Sequence, residues 1–220
     1  SKLKMNNKTM LGSLSHLWAS LRGTDLAQKR AVSEPPLRSE LFSSEQMKQH
    51  GRALAESHKL GLGHAPYQLL TRLADNEEVL IGACTLLTAA VNANLPIAPA
   101  GEWLLDNFYL IEEQIRMAKR HLPKRYGREL PRLLNGPSAG LPRVYDIALE
   151  TIAHGDGRVD MESLSSFVTA YQTATGLKLG ELWAIPIMLR LALIENLRRV
   201  GARIAADRID RNNADYWAGQ

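Results

Sequence analysis

The chain has 220 residues, 45% hydrophobic and 23% charged, and its 27 basic and 23 acidic side chains leave a net charge of +4. This is the profile of an ordinary globular protein, long enough for one large domain or a domain plus a tail. A charge this small, with bases scattered among acids, argues against nucleic-acid binding. One cysteine excludes a disulfide framework and favours a reducing compartment. No apolar run reaches the roughly 18–20 residues of a membrane span, and no secretory leader is visible.

Residues 1–42 read as a flexible N-terminal segment. Residues 1–8 are polar; Leu11, Leu14, Leu17, Trp18 and Leu21 follow a helical spacing suited to docking; Ser33-Glu34-Pro35-Pro36 reads as a linker. Residues 43–220 read as one all-α domain. Its first helix is expected over 44–59, opened by a capping box of Ser43 and Gln46 and closed by Gly61-Leu62-Gly63. Pro66 suits the start of the next helix. Apolar residues at Leu69, Leu70, Leu73, Val79, Leu80, Ala83, Leu86, Leu87 and Ala90 predict a helix over 67–94, single or broken near Asp75-Asn76. Cys84 falls inside it and reads as a small core residue rather than a nucleophile.

Pro96 and Pro99 punctuate the chain before a helix expected over 102–121, with the stripe Leu104, Phe108, Ile111 and Ile115. Glu112 and Arg116 stand i,i+4 in the favourable order. A basic stretch (Lys124, Arg125, Arg128) and a Gly/Pro/Ser-rich turn over 136–142 lead to helices expected over 143–153, 160–175 and 181–211. Pro186 either kinks the last of these or marks its true first turn. Strand signals are almost absent. The expectation is all-α with seven or eight helices; a solenoid-like stack is an alternative, since the two tryptophan blocks at 102–109 and 181–190 are loosely alike.

The chemistry is sparse. His154-Gly155-Asp156-Gly157-Arg158-Val159-Asp160 suggests a calcium loop, but alignment on Gly157 puts Ile152 and Ser163 where the first and last acidic ligands belong. A tight turn with Asp160 capping the next helix is the better reading. The six histidines form no His-x3-His or Glu-x2-His pattern, no glycine loop for nucleotides occurs, and no metal ligand or catalytic residue is assigned. Asp106 and Glu113, seven residues apart on one helix, would lie about 10 Å from each other, near the spacing of an inverting glycosidase pair. Asp106 and Arg190 sit among apolar residues, so buried partners are expected, and a network of Glu102, Asp106, Glu181 and Arg190 is the economical solution. The alternative is a groove for a ligand or another domain formed by Trp103, Asp106, Asn107, Tyr109, Glu113, Glu181, Trp183 and Arg190, with Trp103, Trp183 and Tyr109 stacking on sugar rings.

The wording of these blocks resembles the N-terminal region of the bacterial cyclic β-1,2-glucan synthases, large inner-membrane glycosyltransferases. The matching stretches include Glu102-Trp103-Leu104-Leu105-Asp106-Asn107-Phe108, Ile111-Glu112-Glu113-Gln114-Ile115-Arg116, Pro142-Arg143-Val144-Tyr145, Tyr171-Gln172, Gly180-Glu181-Leu182-Trp183-Ala184 and Ile194-Glu195-Asn196-Leu197-Arg198-Arg199. One departure is Leu177-Lys178-Leu179, where similar proteins tend to carry a threonine, which puts the cap of the following helix in doubt. The resemblance implies a family that polymerises glucose from UDP-glucose with a divalent metal held in another domain, so no cofactor is expected in this segment. It implies a helical, non-catalytic piece at the cytoplasmic face of the inner membrane, with other domains of the synthase as partners and glucan as a further ligand. The apolar ending at Ala214-Asp215-Tyr216-Trp217-Ala218 suggests a fragment of something longer.

Overall fold

The computed structural model describes residues 34–37, 39–61, 68–122 and 130–218. The docking helix expected before residue 34, Pro66 and the basic stretch at Lys124, Arg125 and Arg128 lie outside the described residues. Among those described there are seven α-helices: α1 (Ser44–Ser57), α2 (Gln68–Asn92), α3 (Pro99–Asp106), α4 (Phe108–His121), α5 (Arg143–His154), α6 (Met161–Ala174) and α7 (Leu179–Ala218). Two two-residue strands, β1 (Leu60–Gly61) and β2 (Arg132–Leu133), pair antiparallel with Leu60 opposite Leu133. The all-α expectation holds.

Local chemistry accounts for several boundaries. Ser43 accepts from the Gln46 N–H while the Gln46 side chain takes the Ser43 N–H, the expected capping box. Asp160 caps α6 by accepting from the Ser163 N–H at 2.8 Å. The turn before it carries Asp156 and Gly157 at positive φ, as a tight turn between helices requires. Helix α2 runs unbroken through Asp75-Asn76.

Several boundaries differ from expectation, among them the end of α7, which runs to Ala218 where 211 was expected. The helix expected over 102–121 is two helices, because Asn107 leaves the helical path and its side-chain amide donates to the Trp103 carbonyl at 2.8 Å. A short amide that competes for backbone acceptors favours such a break. Helix α1 stops at Ser57 rather than at the glycines: Asn135 donates to the Ser57 carbonyl and accepts from the Lys59 N–H, drawing His58 to Gly61 into extended backbone. Pro186 lies inside α7, which begins seven residues earlier at Leu179, so it is not the first turn of that helix.

The described residues form two compact units. In one (residues 37–74 and 114–196) Met47 and Ala55 from α1, Ile147 from α5, and Leu164, Phe167, Val168 and Tyr171 from α6 make a buried cluster. Leu182, Ile185 and Leu189 of α7 pack against it at helical spacing. Each large side chain so buried contributes on the order of 1.5–3 kcal/mol. In the other unit (34–36, 75–113 and 197–218) the core includes Leu80, Ala83, Leu86, Leu87, Leu104, Ala202 and Ala205. Small residues let its helices approach: the Gly201 α-carbon faces Leu80 and Leu104, and that of Gly101 faces Leu87 and Ile204. Cys84 is buried there, and burial, with the Glu112 charge adding, pushes its thiol up to about 11. That suits a core residue and not a nucleophile.

Candidate functional site

The densest polar constellation lies in the unit of residues 37–74 and 114–196, beneath the start of α7. Arg143, first residue of α5, lays its guanidinium along the Glu181 carboxylate, Nε to Oε1 at 2.6 Å and Nη2 to Oε2 at 2.8 Å. Their side chains are 3% and 1% exposed. Burial alone would ease the proton off Arg143, but the Glu181 carboxylate outweighs it and holds the guanidinium charged. Arg143 Nη2 also donates to the Gly176 carbonyl, and Glu181 Oε2 accepts from the Lys178 N–H, both at 2.8 Å. Lys178 precedes the first turn of α7 and offers no side-chain acceptor there. Glu181, three residues on, supplies the carboxylate half of a capping box and so answers the cap left in doubt by the sequence.

The constellation continues through Tyr171. The Arg143 guanidinium carbon lies 5.8 Å from the Tyr171 ring centroid, within cation–π range. The Tyr171 hydroxyl meets His58 Nδ1 at 2.8 Å, and His58 Nε2 meets Asp146 Oδ2 at 3.0 Å. The second Asp146 oxygen accepts from the Ser138 hydroxyl. An ionised carboxylate only accepts, so His58 carries its proton on Nε2, and a neutral ring then accepts the Tyr171 O–H at Nδ1. Burial pushes the Tyr171 phenol up, opposed by Arg143. Tyr171 and His58 are spent on each other, so neither offers a reactive atom to solvent, and the arrangement is suited to holding α1, α5, α6 and α7 in register.

The residues proposed from sequence sort differently. Trp103, Asp106, Asn107, Tyr109 and Glu113 belong to one unit, and Glu181, Trp183 and Arg190 to the other. Trp103 and Trp183 are 54% and 72% exposed, and Tyr109 is exposed as well. Glu102, Asp106 and Glu113 are solvated, so the expectation that Asp106 needs a buried partner is overturned, because no desolvation has to be compensated. The break at Asn107 also places Asp106 and Glu113 on separate helices, which removes the one-helix geometry assumed for a carboxylate pair. Glu181 is buried as expected, but its partner is Arg143 and not Arg190; Arg190 is half-buried.

Sequence reasoning missed Arg143, His58, Asp146 and Ser138 as a set, since they come from the end of α1, the turn before α5 and α5 itself, with no common spacing. Arg143 had one usable signal, a charge embedded in Leu141-Pro142-Arg143-Val144-Tyr145. A parallel case is Arg72, which reaches the fully buried Glu195 at 2.7 Å. In the other unit Arg198 Nε donates to Asn76 Oδ1 at 3.2 Å and Nη2 meets Glu34.

No family model matches the chain. It is, however, 37% identical over 185 residues to the cyclic beta-(1,2)-glucan synthase NdvB of Rhizobium meliloti (strain 1021). This chain is a relative of one segment of a cyclic β-(1,2)-glucan synthase. The match takes in 84% of the chain and 6% of the length of NdvB. The glucan-synthase resemblance read from the tryptophan blocks is thereby borne out. Among the described residues no helix is long and apolar enough to cross a membrane.

Proposed function

We propose that this chain is a non-catalytic helical accessory domain of a cyclic β-1,2-glucan synthase that makes glucan from UDP-glucose, serving assembly, regulation or glucan handling through the other domains of that protein. Its place would be the cytoplasmic face of the inner membrane. The observation that carries the reading is the match itself, which spans most of this chain but a small part of NdvB. The use of the buried charges supports it. Arg143 and Asp146 of α5 are committed to Glu181 of α7 and to His58 at the end of α1, as in a scaffold. Purified chain incubated with UDP-glucose and Mg2+ or Mn2+ is expected to give no turnover. Turnover abolished by Asp106→Asn would overturn the non-catalytic reading. In a full-length synthase, deletion of the corresponding segment should lower glucan output; unchanged output would argue against an accessory role.

A second reading, a β-glucan-binding module, is favoured by the exposure of Trp103 and Trp183. Flat aromatic faces left in solvent suit sugar stacking. Titration with linear β-1,2-glucan should then shift tryptophan emission, with the change lost in Trp103→Ala or Trp183→Ala. A flat titration at millimolar glucan disfavours it.

A further inference from the structure

Among the described residues, His50, Glu150 and His154 bring one donor atom each to within 4.8 Å of one another. Glu150 and His154 stand i,i+4 on α5, and His50 comes from α1. His50 Nε2 lies 2.7 Å from Glu150 Oε2, and His154 Nε2 lies 3.4 Å from the same oxygen. We propose that these three side chains form a Zn2+ site, with two imidazole nitrogens and one carboxylate oxygen as ligands.

The orientation of His154 points to a cation. Its Nδ1 sits 2.7 Å from the Glu40 carbonyl, which can only accept, so Nδ1 carries a proton. Nε2 is then the ring atom turned toward the Glu150 carboxylate oxygen, where a metal ion would bind both. A ligating imidazole held by a backbone carbonyl at its other nitrogen is the usual outer support of a metal-bound histidine. Phe42 stacks on the same ring at 3.8 Å with an interplanar angle of 13°, fixing its plane.

One edge of the cluster has the length that a tetrahedral ion sets. Bonds of about 2.0–2.1 Å place neighbouring ligand atoms about 3.3–3.4 Å apart. The His154–Glu150 separation of 3.4 Å already matches; the 2.7 Å His50–Glu150 contact has to open by about 0.6 Å. Glu150 can accommodate this, because its side chain is 30% exposed. That opening also gives room for a water as fourth ligand. Two imidazoles with one carboxylate select a late divalent transition ion over Mg2+ or Ca2+, which prefer all-oxygen shells. The site would clamp residues 39–42 and α1 onto α5.

The test uses the untagged 220-residue chain, stripped with a chelator and titrated with Zn2+ by calorimetry and with Co2+ by visible absorption. Expected are one ion per chain, the intense visible bands of four-coordinate Co2+, and a melting point raised by about 5–10 °C at Zn2+ roughly 100-fold above the dissociation constant. His50→Gln and Glu150→Gln should weaken Zn2+ by more than the about 10–100-fold lost with an outer-shell partner, while melting like the parent in chelator. Glu150→Gln serves as the folding control, since the amide can still hydrogen-bond both rings. Zn2+ binding no tighter than about 1 mM, or equal binding by parent and both variants, would overturn the assignment.

Discussion

Arg143 and Glu181, separated by 38 positions in sequence, meet as a two-point buried ion pair that also caps the longest helix of the described chain. Neither charge has water to fall back on. Removing one partner therefore differs sharply from removing both.

Glu181→Ala is expected to destabilise by about 3–5 kcal/mol, because it strands a charged guanidinium and unpairs the Lys178 N–H. In a chain of this length that lowers Tm by roughly 6–20 °C. The double replacement Arg143→Met with Glu181→Leu should recover much of the loss, since the desolvation penalty of both charges disappears with them. It should not recover all, as the Gly176 carbonyl and the Lys178 N–H remain without their partners. A thermal melt in which the double variant is worse than Glu181→Ala would show that the pair is not the unit of stability.

Alkali should weaken the fold through its buried neutral acids. Cys84 is pushed up to about 11 from 9.0 by burial, and Tyr171 is pushed up from 10.0 for the same reason. A group whose folded pKa is raised leaves the unfolded chain holding fewer protons as pH rises. Its contribution is complete below the unfolded value and is lost as pH climbs through the folded one. For Cys84 the window runs from about pH 9 to about pH 11 and is worth on the order of 2–3 kcal/mol. Denaturant melts across that range should show stability falling, and Cys84→Ala should flatten part of the fall. A Cys84→Ala profile parallel to the parent's rules out the thiol as a cause.

Two glycines give opposite predictions. A Cβ on Gly51 would stand 2.8 Å from the Phe167 carbonyl oxygen and 3.0 Å from its ring, so α1 and α6 would have to part. Overpacking of this kind costs about 1–3 kcal/mol, against a gain of about 1 kcal/mol in helix propensity. Gly51→Ala should lower Tm. Gly180, in the first turn of α7, has open space around its Cβ position, and Gly180→Ala should raise stability by up to about 1 kcal/mol. Equal shifts in the two variants would mean that helix propensity, not packing, governs both.

Helix content was legible because it depends on neighbours in sequence. The Ser43/Gln46 capping box, the Asp160 cap and the apolar rows of α2 all act within a turn or two, and each appears where the spacing places it. Asn107 was misread because a single amide competing for a backbone carbonyl leaves no mark on an otherwise continuous apolar stripe. The Glu150-Thr151-Ile152-Ala153-His154 spacing was available as an i,i+4 pair, but it lacked its third member until α1 brought His50 beside it.

The sequence by itself determined the helical class, most caps and the kinship with a glucan synthase, since those reside in local periodicity and in the wording of short blocks. Tertiary structure decided which charges are buried and with whom. Glu181 chose Arg143, His58 bridged Asp146 and Tyr171, and Asp106 remained in water. The reason is physical: a charge is stabilised by whatever lies within a few ångströms, and residues from distant segments become that neighbourhood only when the helices pack.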